Sequence, residues 1–265
     1  MRRALLVLLS ALIATPVLAI DGRATATVTA DSFSLDEPII IELVITGVGG
    51  LDGYVVTSDP PAANPPMGLY NSSEAGYGFP IVRGVDRNRP LRHRLLLNKW
   101  MTFDHPGRYN VTIDSLVGVK RYVTSVEINV VERDEARLQQ SCTLWGERAN
   151  GRSLEQEEGE YSRGGPRGQK AFARIVLMFM QRESLIPCLL QSASKENLAP
   201  AIAFREMDSV AAVHALQQLM RSPVPELSDE ARKRLGQLQE RTRKKNVRKA
   251  AADALNAATT SPLSH

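Results

Sequence analysis

PIIIELVIT (Pro38–Thr46) sets Ile39, Ile41, Leu43 and Ile45 at every second position. A strand points successive side chains to opposite faces, so this spacing gives one apolar face for a core. The same period returns in GRYNVTI (Gly107–Ile113) as Tyr109, Val111 and Ile113, and in SVEINVV (Ser125–Val131) as Val126, Ile128 and Val130. Turn residues punctuate these runs: Asp36-Glu37-Pro38, Gly49-Gly50, Asp59-Pro60-Pro61 and Pro106-Gly107. Several short strands with turns between them, and no helical periodicity of useful length, predict an antiparallel β-sandwich over residues 20–132. The stretch 58–89 is long for a connection and carries Tyr70, Tyr77 and Phe79. It is read as a strand-bearing insertion laid over the sandwich, or else as a binding loop that presents aromatic rings.

Two phrases sharpen the β reading. SFSLDEPIIIELVIT (Ser32–Thr46) resembles the passage from the first to the second strand of bacterial Ig-like domains. LNKWMTFDHPGRYNVTI (Leu97–Ile113) is similar to their E–F corner, where a Pro-Gly turn precedes a tyrosine by one residue. The resemblance implies that Pro106 and Gly107 make the turn. Tyr109 would then seat its ring in the core and return its hydroxyl to the corner backbone. Trp100 is read as packing at that corner rather than as a sugar platform.

Residues 133–258 change period. Leu138, Cys142 and Trp145 follow helical spacing, and residues 150–169 are polar and glycine-broken, which predicts an exposed loop. Residues 171–193 and 201–220 share a plan of apolar helix, polar break and second helix, with Ile186, Cys188 and Leu189 matching Val213, Ala215 and Leu216. Ser184, Asp208, Ser228 and Asn246 are expected N-caps. VRKAAADAL (Val247–Leu255) resembles a phrase of HEAT-type helical repeats, so the part is identified with a degenerate HEAT-like array of helix pairs. Its spacing is shorter than the usual HEAT period, and a small irregular helical bundle is the alternative. An exported Ig-like domain followed by HEAT-like helices resembles a set of bacterial envelope proteins with no assigned activity.

The two ends carry addresses and charge. MRRALLVLLSALIATPVLA has a basic start, an apolar core and small residues near Ala19. It is expected to be a signal peptide over residues 1–19 cleaved after Ala19, giving a periplasmic or secreted protein. No later stretch is apolar enough to cross a membrane. Export makes a disulfide between Cys142 and Cys188 the favoured state of the only two cysteines, with two buried thiols as the alternative. Residues 259–265 are read as a disordered tail.

Residues 231–265 hold nine basic and two acidic side chains, whereas residues 20–132 and 133–230 both carry more acids than bases. The basic residues concerned are Arg232, Lys233, Arg234, Arg241, Arg243, Lys244, Lys245, Arg248 and Lys249. One straight helix could not bury both the Ala231, Leu235, Leu238 stripe and the Val247, Ala251, Ala254, Ala258 stripe, which would face opposite sides. A break near Lys244–Asn246 folds the chain back and turns both stripes inward. Arg232, Lys233, Arg241, Arg243, Lys244, Lys245, Arg248 and Lys249 then form the candidate surface for an anionic partner. Arg248 and Lys249 stand near the positive end of the last helix, an unfavourable place.

No catalytic signature occurs: no nucleophile elbow, zinc-protease helix, phosphate loop or Cys-x-x-Cys. The histidines show no metal-ligand spacing. His93, in RHR, is expected on a solvated strand face, and His214 is expected to be partly buried. No catalytic, cofactor-binding or metal-binding residue is therefore assigned. Three function classes are left. The first is a non-catalytic envelope module that binds a protein partner. The second is an electrostatic binder of an anionic envelope surface or polymer, with export weighing against nucleic acid. The third is an enzyme whose site is not visible in sequence.

Overall fold

The computed structural model describes residues 22–63, 82–83, 89–154 and 165–260. The expected leader and its Ala19 cleavage point, Tyr70, Tyr77 and Phe79, residues 155–164 of the expected loop, and residues 261–265 lie outside them. The described chain is a β region followed by a helical region.

The strands are β1 (Arg23–Val28), β2 (Phe33–Ser34), β3 (Ile40–Thr46), β4 (Gly50–Leu51), β5 (Gly53–Asp59), β6 (Val82–Arg83), β7 (Leu91–Leu96), β8 (Gly107–Val117) and β9 (Lys120–Val131). They form sheets ordered β1-β3-β7 and β2-β9-β8-β5, with a two-stranded pair β4-β6. The sheets are not wholly antiparallel, as the alternation had suggested. β2 runs parallel to β9, with Phe33 opposite Val130. After β1 the chain bends across to the other sheet and arrives beside β9 heading the same way. Alternation carries no information on that direction. β6 is a described piece of the 58–89 stretch and pairs with β4.

The alternating positions do bury. Ile41, Leu43, Ile45, Val111, Ile113 and Ile128 are 0% exposed, and they belong to one apolar core fed by both larger sheets. At the turn before β8, the Tyr109 hydroxyl donates to the His105 carbonyl at 2.8 Å, and its ring meets Phe103 edge-on. Pro106 is exposed and Gly107 opens β8. Trp100 is half-buried, edge-on to Tyr54. His93 is buried, contrary to the solvated face read from its arginine neighbours. The period of β7 puts Leu91, His93 and Leu95 inward, where His93 lies beside Tyr54, and sends Arg92 and Arg94 outward.

The helices are α1 (Glu135–Ala149), α2 (Gly165–Met178), α3 (Ile186–Ser192), α4 (Ala199–Met207), α5 (Val210–Met220), α6 (Pro225–Arg241) and α7 (Lys245–Thr260). α2 packs on α4 and α4 on α6, while α1 packs on α3, α3 on α5 and α5 on α7. The helices thus alternate between two layers along the stack. Ala231, Leu235 and Leu238 share one core with Val247, Ala251 and Ala254, so the terminal hairpin turns both stripes inward. Cys142 and Cys188 are bonded, and the bond ties α1 to α3 at the start of the stack.

Helix boundaries differ from the capping residues expected. Residues 165–169 already belong to α2 rather than to a loop. Ser184 sits in a 3-10 turn and donates to Glu135. Asp208 takes the left-handed conformation (φ 45°) that closes α4, and its neighbour Ser209 caps α5 through Ala212 N. α6 starts earlier, at Pro225, whose missing N–H suits a first helical position, so Ser228 lies inside and donates to Met220. The final break falls at Thr242, whose hydroxyl accepts from Lys244 N, and Asn246 lies inside α7. His214 is exposed, on the solvent side of α5. No helix among the described residues is long and apolar enough to cross a membrane.

Candidate functional site

Only Glu132, Arg133 and Asp134 separate β9 from α1, so the helical stack starts directly against the β region. Asp134 caps α1 through Arg137 N, and its own N–H donates to the buried Ser34 hydroxyl at 2.8 Å. Ile40 and Leu96 of the first sheet belong to the helical core. Arg133 and Arg182 pair with Asp36 at 2.7 and 3.5 Å, and Arg137 with Glu37 at 2.7 Å. Shared apolar packing ringed by arginine–carboxylate pairs makes the junction one packed body.

A cavity of about 470 Å³ opens on one flank of this junction, between the first sheet and α1. Ala30, Phe33, Pro38 and Ile40 line it from the β side, and Leu144 and Trp145 from the helix. Arg94, Arg137 and Arg148 stand around it, with Glu37 and Glu42. Glu37 is engaged by Arg137 and Glu42 by Arg92. The Arg148 guanidinium lies over the Trp145 ring at 4.8 Å, a cation–π contact that fixes the arginine plane. Trp145 is 8% exposed, while its neighbour Leu144 is 39% exposed at the mouth. The groove thus has an apolar floor rimmed by guanidinium groups. A smaller cleft of about 230 Å³ opens beside β2, lined by Asp36, Asn98, Asp104 and Arg182 among others.

This groove escaped the sequence reading. Trp145 stood out there only as the third member of a buried stripe. The arginines around it come from β7 and α1, which no local spacing connects. An exposed leucine directly before a buried tryptophan on a surface helix was the available signal.

All eight basic residues singled out in the sequence are exposed. Several have internal partners. Arg241 pairs with the Glu206 carboxylate at 2.7 Å, Lys244 donates to the Asp208 carbonyl at 2.7 Å, and Lys233 lies 3.8 Å from Glu230. Arg248 donates to the Thr242 carbonyl at 2.6 Å. Its charge, awkward in the first turn of α7, thereby serves the negative end of α6. Arg232, Arg243, Lys245 and Lys249 form no ion pair among the described residues. At the other end of α6, the Glu226 carboxyl is held below the usual range, first by its own backbone N–H and then by Lys195 at 3.0 Å.

Among the described residues no three His, Cys, Asp or Glu side chains are grouped to hold a metal ion. No protein-family model matches the sequence, and comparison with curated proteins gave no match.

Proposed function

We propose that this protein is a non-catalytic interaction module of the bacterial cell envelope that binds a protein partner at the groove between its two regions. The observation that carries the reading is Leu144 exposed beside Trp145 and the Trp145–Arg148 stack. Tryptophan and arginine anchors in a concave, partly desolvated patch are the usual makings of a protein-binding hot spot.

In this reading the β region is an Ig-like sandwich, which the bond from Tyr109 to the His105 carbonyl supports. The pairs α4–α5 and α6–α7 each pack together and α2 packs on α1, and this two-layer stacking supports a short HEAT-like array. The chain is exported, cleaved after Ala19, and works in the periplasm or outside the cell. The bond between Cys142 and Cys188 fits an oxidising compartment.

Crosslinking in intact cells followed by capture from the envelope fraction tests the reading. Recovery of a specific protein in stoichiometric yield is expected. Recovery of nothing above background would remove its main support.

A further inference from the structure

The α6–α7 turn concentrates charge without offering an apolar foothold. Residues 241–249 hold six basic side chains and no acid. Arg241, Lys244 and Arg248 are spent on Glu206, Asp208 and the Thr242 carbonyl, contacts that fix the turn's shape. Arg243, Lys245 and Lys249 project from that fixed turn with no ion pair among the described residues. The uncharged Thr242 and Val247 are buried, at 3% and 1% exposure. Lys245 and Lys249 stand four apart on one helical face and at the positive end of α7, two repulsions that a bound anion would relieve. The exposed acids of these two helices are Glu226 and Asp229, at the far end of α6, and Glu240 and Asp253 nearer the turn.

We infer that this turn docks on an anionic lipid bilayer, its free cations resting among phosphate headgroups. None of the exposed large apolar side chains among the described residues lies on α6 or α7. A protein partner needs an apolar centre to its interface, and a single-stranded nucleic acid needs aromatic platforms; neither helix carries an aromatic residue. A duplex presents its phosphates along a line, whereas these cations crowd one convex turn. A headgroup layer asks only for several mobile positive charges close to its plane. The turn shares no residue with the junction groove, so failure here leaves the partner reading standing.

The test is sedimentation of the purified protein with vesicles of phosphatidylglycerol and phosphatidylcholine, against vesicles of phosphatidylcholine alone. Binding to the anionic vesicles only is expected, weakening steeply as salt rises. The triple variant Arg243→Gln, Lys245→Gln, Lys249→Gln should lose on the order of a hundredfold in affinity. A control triple that removes exposed cations elsewhere, Lys120→Gln, Arg152→Gln, Arg221→Gln, should lose far less. Circular dichroism confirms that both triples are folded. The proposal is overturned by equal binding to neutral vesicles, by equal losses in the two triples, or by no binding at low salt. Tighter binding to duplex DNA than to the vesicles, at equal phosphate concentration, would overturn it as well.

Discussion

The Arg137 guanidinium lies 2.7 Å from the Glu37 carboxylate, across the junction between the β region and α1. The same carboxylate accepts from Ser34 N at 2.8 Å, and Arg137 also donates to the Ser32 carbonyl. One side chain of the first helix thus holds the segment that leads into β3. The pair is partly solvent-screened, at 32% and 13% side-chain exposure, so its coupling is set at about 1 kcal/mol rather than at a buried-pair value. A double-mutant cycle with Arg137→Met and Glu37→Gln, read by urea unfolding, should return a coupling of that size. Additive losses would show that the pair is incidental to the junction.

Gly146 and Gly236 make opposite predictions on two helices. A Cβ at Gly146 would stand 2.8 Å from the Ser192 Cβ, because α1 and α3 approach closely where the disulfide also joins them. Gly146→Ala should destabilise by about 1–3 kcal/mol. Gly236, inside α6, has nothing within 4 Å of its Cβ position. Gly236→Ala should stabilise by about 0.5–1 kcal/mol through helix propensity. Thermal unfolding of the two variants gives both signs in one experiment.

The disulfide predicts a third outcome. Cys142 and Cys188 are 46 residues apart in sequence, and closing a loop of that length stabilises by roughly 4 kcal/mol in the chain-entropy model. Alkylation before reduction should label neither cysteine, and alkylation after it should label both. Cys142→Ser with Cys188→Ser should unfold at markedly lower denaturant. Two alkylated thiols in protein isolated without reductant would contradict the bond.

The sequence was most informative where a period repeats. Ile39, Ile41, Leu43 and Ile45 spell a buried strand face, and the paired stripes around Ala231 and Val247 spell a hairpin, because burial on one face leaves a rhythm in the chain. His93 shows the cost of weighing charge above that rhythm: its arginine neighbours are outward partners on β7, and it is not one of them. Helix starts were harder to read. Pro225 opens α6 by its backbone geometry and Ser209 opens α5 with its hydroxyl, while the more conspicuous Ser228 and Asp208 serve elsewhere. The groove was not legible in any local spacing. Arg94 and Trp145 meet only because Ile40 and Leu96 bring the sheet onto the helical core.

Glu226 supplies a pH-dependent prediction. Its folded pKa lies below the ordinary carboxylate value, from its backbone N–H first and Lys195 second. A carboxylate depressed on folding adds stability above its unfolded pKa and loses it as pH falls through the folded one. Following the Glu226 carboxyl by NMR should give a midpoint below that of an exposed glutamate. Lys195→Met should raise the midpoint only part of the way, since the backbone bond persists. A full return to the ordinary value would assign the whole shift to Lys195.

A photo-crosslinking amino acid placed at position 144 tests the partner groove most directly. It reports on contact in the cell without requiring the partner to be known. The account predicts a discrete, higher-mass adduct from position 144. It predicts none from position 123, where Val123 is more solvent-facing still, on the outer side of β9. No adduct at 144, or the same adduct at 123, would contradict the groove as the place where this protein meets its partner.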